Sequence, residues 1–145
     1  MAESKYGKYI VTEVRQNITG APWSSKIPIA GKGSGGRILQ IDNEAVPGAF
    51  YIDCSWILPG KGPTGPNTQS HKHDYDEVIA FFGTNVDDPH DLGAEIELWL
   101  GDEQHIITKS AMVFIPGGMQ HCPLICRRVD RPVFHFTTGP GKMYF

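Results

Sequence analysis

"HKHDYDEVIAFFG", His71–Gly83, is the stretch on which the fold and the chemistry of this chain turn. In an extended strand, residues two apart lie on one face. His71, His73 and Glu77 share that parity, and so does Tyr75. Two imidazoles on alternate residues can chelate one ion, and a carboxylate four residues later can join them directly or after a bend at Asp74–Asp76. Neutral imidazole with one hard carboxylate suits a divalent transition metal: Fe, Mn, Ni, Co or Zn. The alternative is a polar patch of exposed histidines at a loop end. With this chain's own His and Glu frequencies, chance produces the HxHxxxE spacing in roughly 1% of sequences of this length.

Such a site needs a further ligand from elsewhere. "FIPGGMQHCP", Phe114–Pro123, supplies the best candidate, His121, which follows a Pro-Gly-Gly turn where the chain re-enters extended structure. The two segments resemble the two motifs of the cupin superfamily. The first family motif runs Gly, five residues, HxH, three or four residues, Glu, about six residues, Gly. Gly65, His71, His73, Glu77 and Gly83 follow it with the last spacer one residue short. The second runs Gly, five residues, PxGxxH, three residues, Asn. Pro116, Gly118 and His121 match it, while Ser110 stands at the first Gly and Ile125 at the Asn.

The resemblance covers about half the chain, from Pro59 to the strand after His121. It implies one divalent metal held by His71, His73, Glu77 and His121. It also implies an all-β fold, an antiparallel β-barrel of the cupin-type double-stranded β-helix or jelly roll, with little helix. The expected organisation is one domain over 1–145, with the first motif at about 65–83 and the second at about 110–125.

The rest of the chain reads the same way. Gly (17) and Pro (11) punctuate short runs rich in Val, Ile, Phe, Tyr and Trp, the pattern of an all-β sandwich or barrel. "KYIVTEV", Lys8–Val14, is expected as a first strand. "RILQID" and "AFYIDCSWIL" follow as strands; in the second, Phe50, Ile52, Cys54, Trp56 and Leu58 share one face, with Tyr51 and Asp53 opposite. "AEIELWLGDEQHIIT" is a hairpin turning at Gly101-Asp102, and "RPVFHFTTG" is a last strand. Met112, Phe114 and Trp99 are expected as core or pocket wall. No segment keeps a 3.6-residue period, and no internal repeat is visible.

Composition excludes several classes of function. A net charge of −3, with scattered basic residues, gives no electrostatic case for nucleic acid or an anionic membrane. No apolar run approaches the ~20 residues of a membrane span. The N-terminal stretch lacks an apolar signal core, and three cysteines (Cys54, Cys122, Cys126) without CxxC argue for buried thiols; the expected location is cytoplasmic. "GKGSGG" matches GxGxxG by letters at Gly31, Gly33 and Gly36, but lacks the strand and helix that a dinucleotide site requires. His90 and His105 are expected at the surface. Arg127, Arg128 and Arg131 are expected at a solvated strand end.

Two residues are candidates for catalysis beside the metal. Tyr75 shares the ligands' parity and could bond substrate or a metal-bound water; otherwise it is a rim tyrosine. His135 faces away from Phe134 and Phe136. If that side is interior it is a candidate base; if not, it is an exposed histidine. Three imidazoles and a carboxylate would leave a six-coordinate divalent ion two open positions, which favours chemistry over scaffolding. The expected function is a metal-dependent enzyme acting on a small oxygen-rich organic substrate, an oxygenase or other oxidoreductase. A decarboxylase, lyase or isomerase of a small organic acid or sugar remains open, as does a non-catalytic small-ligand-binding protein. A homodimer is expected, through the N-terminal aromatic strand and the terminal "GKMYF".

Overall fold

The computed structural model describes residues 4–15, 18, 27–60, 65 and 67–140. Among these residues nine strands follow one another: β1 Gly36–Ile41, β2 Tyr51–Ile57, β3 Asn67–Thr68, β4 Glu77–Gly83, β5 Asp91–Leu100, β6 Glu103–Lys109, β7 Ala111–Ile115, β8 His121–Val129 and β9 Val133–Gly139. The one helical element among the described residues is a 3-10 turn at Gly7–Tyr9. None of their helices is long and apolar enough to cross a membrane.

The strands form two antiparallel sheets, ordered β1-β2-β9-β4-β7 and β3-β8-β5-β6. No ladder among the described residues joins an edge of one sheet to an edge of the other, so these residues form two sheets rather than a closed barrel. Between them lies one apolar core. Ile57, Ile79, Phe81, Ile115 and Val133 from the first sheet meet Ile96, Leu98, Leu124, Cys126 and Val129 from the second. Burying each large side chain of this set stabilises the fold by about 1.5–3 kcal/mol.

The core fixes which face of each strand is interior, and in β2 and β9 the answer reverses the ordinary pattern. Tyr51, Asp53, Ser55 and Ile57 are buried, while Ile52, Cys54 and Trp56 are only half-buried on the opposite face. The same holds in β9, where Val133, His135 and Gly139 are buried and Phe134 and Phe136 point outward. Half of the first sheet thus presents polar groups inward. Two of them neutralise each other: Arg37 donates from Nε to Asp53 Oδ1 at 2.8 Å and from Nη2 to Asp53 Oδ2 at 2.6 Å. Both are buried, so the paired, doubly hydrogen-bonded geometry is what makes their desolvation tolerable.

Several expectations are corrected. Lys8–Val14 is not a strand: Gly7–Tyr9 closes as a 3-10 turn, Ile10 is 70% exposed, and no described sheet takes the segment in. Alternation there has no core face to bury. Met112 and Phe114 are not core, since β7 lies at the sheet edge with these two side chains outward, 64% and 61% exposed. Trp99 is half-buried, and its indole N–H donates to Glu97 Oε2, a residue Arg127 also binds. The hairpin between β5 and β6 does turn at Gly101-Asp102, with Leu100 paired to Glu103. His90 and His105 are exposed. Arg127 and Arg128 are exposed too, and Arg131, half-buried, pairs with Asp91. The three cysteines are free thiols. Residues 141–145 and most of 16–26 lie outside the described residues, including the terminal segment expected at a dimer interface.

Candidate metal centre

The two sequence motifs meet through their backbones. His71 and His121 form an antiparallel bridge, each N–H donating to the other's carbonyl at 2.9 Å. The Pro116–Met119 turn is pinned beside it. Gly118 N donates to His73 O at 2.6 Å, Gly117 N donates to Asp76 Oδ1 at 2.9 Å, and the Gln120 side-chain amide donates to Ser70 Oγ at 2.8 Å. Gly118 has φ +85°, a conformation costly for any residue with a Cβ, so this turn needs glycine.

This pairing gathers the side chains. One ligand atom from each of His71, His73 and His121 lies within 4.8 Å of the others. Glu77, at the start of β4, closes one side: Oε2 is 3.5 Å from His73 Nε2 and Oε1 is 3.4 Å from His121 Nε2. His73, Glu77 and His121 are buried, and His71 is half-buried.

The ring tautomers are set from behind. His71 Nδ1 lies 2.6 Å from Gln69 O, and His121 Nδ1 lies 2.9 Å from Met119 O. A carbonyl only accepts, so each Nδ1 carries a proton and each Nε2 is the ring nitrogen turned to the cluster, a lone-pair donor in the neutral imidazole. Burial pushes the His71 pKa below its ordinary value, outweighing the Gln69 carbonyl and the Glu77 charge, which act the other way. Glu77 is held below the usual carboxylate range. Burial alone would raise it, and the contacts with His121 and the Tyr51 hydroxyl, with the charges of His73 and His121, outweigh that. A divalent transition metal requires neutral imidazoles and an ionised carboxylate, so its binding would release any imidazolium proton and take over the positive charge beside Glu77. Buried Glu77 Oε1 and His121 Nε2 make no hydrogen bond, the state expected of atoms kept for a cation. The residues present therefore fit such an ion.

Tyr51 was missed by sequence reasoning. Its hydroxyl donates to Glu77 Oε2 at 2.5 Å, leaving Oε1 as the oxygen turned toward His121. Burial and the Glu77 charge push the Tyr51 pKa far up, so the phenol keeps its proton. The available signal was parity: Tyr51 alternates with Asp53 on the face opposite Trp56, but only the core shows that this face is interior. Gly139 makes room for the arrangement. A Cβ there would stand 2.7 Å from Asp76 O, 3.1 Å from Tyr75 Cδ2 and 3.2 Å from Tyr51 Cε1.

The two catalytic candidates part company. Tyr75 is half-buried, stacks on the His73 ring (centroids 4.9 Å apart, planes 15°) and hydrogen-bonds Tyr51. His135 is interior, but it does not join the cluster. In the β4–β9 register His135 falls opposite Phe81, four residues along β4 from Glu77, or about 13 Å of strand. His135 Nδ1 lies 3.0 Å from Ala80 O, and its ring stacks on Phe81 at 4.7 Å. Burial pushes its pKa down. Cys122 lies near Glu77; burial, aided by that charge, pushes its thiol up to about 12, so it stays protonated.

No protein-family model matches the chain, and no curated protein does. Solved structures similar to it include several described as cupins. A predicted oxalate decarboxylase from Thermotoga maritima is 14% identical, with 72% of this chain and 78% of that one covered, at a TM-score of 0.47. An RmlC-like cupin from Shewanella frigidimarina is 13% identical over 88% of this chain and 94% of its own, at 0.44. A cupin-superfamily sugar phosphate isomerase from Silicibacter pomeroyi is 13% identical over 87% and 68%, at 0.49.

Proposed function

We propose that the chain is a metal-dependent enzyme acting on a small oxygen-bearing organic molecule, bound between two sheets that form the halves of a jelly-roll barrel. The observation that carries this reading is the convergence of His71, His73 and His121 within 4.8 Å, with Glu77 against two of them. A divalent Fe, Mn, Ni, Co or Zn held by these four residues would act as Lewis acid toward a carboxylate, enol or vicinal oxygens and, as iron, would support dioxygenase chemistry. His71, half-buried, is the most accessible of the four, and the Tyr75 ring stacks on that of His73. The oxygenase or oxidoreductase reading is our first.

A second reading, a decarboxylase, lyase or isomerase, is favoured by the hydroxyl chain from Tyr75 through Tyr51 to Glu77. Tyr75, the half-buried end of that chain, would be the hydroxyl offered to a carbanionic substrate, since Tyr51 keeps its proton on Glu77. His135, with Nδ1 protonated, offers Nε2 as an acceptor deeper in the interior.

Elemental analysis of protein purified without chelator tests the metal. About one transition metal per chain, lost in His73→Ala and His121→Ala, is expected. A folded protein that takes up none would end both readings. Oxygen-dependent turnover selects the first, turnover under strict anaerobiosis the second. Stoichiometric metal with ligand binding but no turnover would make the chain a binding protein.

A further inference from the structure

The inner face of β2 and β9 stays polar well beyond the metal ligands. Along their ladder, after the Tyr51–Gly139 pair, Asp53 stands opposite Thr137 and then Ser55 opposite His135. Side chains paired in this way are about 5 Å apart on one face. Asp53, Ser55 and His135 are each at least nine-tenths buried. Thr137 is inward too, yet only half-buried, so the interior keeps accessible space beside it. Arg37 reaches this row from β1 and is held in the bidentate pair with Asp53. The Ser55 and Thr137 hydroxyls and His135 Nε2 form no hydrogen bond among the described residues. Buried polar atoms ordinarily have partners, so a row of them without one points to a surface kept for a bound molecule. On β4, Thr137 falls opposite Ile79 and His135 opposite Phe81, two and four residues from Glu77. The row therefore runs from about 7 to about 13 Å along the sheet from the metal-binding carboxylate.

We propose that this row holds the end of the substrate remote from the metal, and that it selects a neutral hydroxyl there, alcoholic or phenolic, over a second carboxylate or a phosphate. This rests on the metal-dependent reading above and names the chemistry of the substrate's far end. A hydroxyl both donates and accepts. It can donate to His135 Nε2, since Nδ1 already faces Ala80 O and burial disfavours the charged ring, and it can accept from Ser55 or Thr137. An ionised carboxylate or phosphate only accepts, and it would leave Nε2 unmatched. It would also lie beside the Asp53 carboxylate. Arg37, the one guanidinium or ammonium group of β1, β2 and β9, is already neutralised by that carboxylate. Ile79 and Phe81 flank the path from the metal with apolar surface, which suits a carbon skeleton about one six-membered ring long between the two polar ends.

Calorimetric titration of the Co²⁺-loaded full chain with three probes tests this. The probes are benzohydroxamate, which offers a metal two oxygens, and its 4-hydroxy and 4-carboxy derivatives. The 4-hydroxy probe is expected to bind at least tenfold more tightly than benzohydroxamate, and the 4-carboxy probe more weakly than either. The double variant Ser55→Ala, Thr137→Val should cut the preference for the 4-hydroxy probe to threefold or less, with Co²⁺ uptake and circular dichroism retained. If it misfolds, the wild-type ranking decides. Equal affinities in the wild type, tightest binding of the 4-carboxy probe, a Co²⁺ spectrum that no probe alters, or a double variant that weakens all three probes alike would each overturn the proposal and leave the metal site standing. A chain that takes up no Co²⁺ would overturn the metal-dependent reading and this one with it.

Discussion

Replacing Tyr51 by Phe removes one hydroxyl and keeps the ring. That hydroxyl donates at 2.5 Å to Glu77 Oε2, inside the fold, where no solvent stands ready to substitute for it. A hydrogen bond to a charged group contributes about 1.5–3 kcal/mol. Its loss acts on the ionised carboxylate and not on the protonated form, so the Glu77 pKa moves back up toward its ordinary value. At about 1.4 kcal/mol per decade, the divalent-metal affinity of the site should fall roughly ten- to hundredfold, the usual scale for removing a group that orients a ligand. Because a carboxylate must lose its proton to coordinate, acid release of the metal should shift to higher pH in the variant. Chelator competition, with Co²⁺ absorption as the readout, measures both quantities in one series. A purely packing role for Tyr51 predicts no change, since the phenyl ring remains. Affinity within twofold of wild type, with a native circular dichroism spectrum, would refute the positioning role.

The other predictions are simpler. His73→Ala and His121→Ala should each abolish stoichiometric metal, read by elemental analysis, and also the rise in Tm that saturating metal gives the wild type. Breaking the buried pair by Asp53→Ala leaves the Arg37 guanidinium uncompensated and should cost about 3–5 kcal/mol in urea unfolding; a loss under 1 kcal/mol would show the pair to be solvated. Stability should fall on acidification below the ordinary His value of 6.5, because His135 is held below that value when folded and the unfolded chain then binds more protons. His135→Phe should flatten that part of the profile, and an unchanged slope would assign it elsewhere.

How much of this was legible beforehand can be followed residue by residue. Parity along HKHDYDE and the Pro-Gly-Gly turn before His121 brought the cluster's residues into view, because local period and turn chemistry act over a few positions. The β5–β6 turn was readable for the same reason. The same alternation misled at Lys8–Val14, which has the pattern of a strand but no core against which to use it. It was ambiguous in β2 and β9, where alternation is clear but two faces are possible, and a sequence carries no sign for inward.

The chain by itself determined the chemistry of its donors: which residues can bind a cation and which segments of the two motifs are extended. Tertiary structure decided which faces meet. It paired His71 with His121 across fifty residues of sequence, turned Tyr51, Asp53 and His135 inward, and left Met112 and Phe114 outside. The reason is that hydrogen-bonded register and burial are properties of contacts between distant segments. A strand's alternation offers two equivalent orientations until a packed neighbour makes one of them cheaper in free energy.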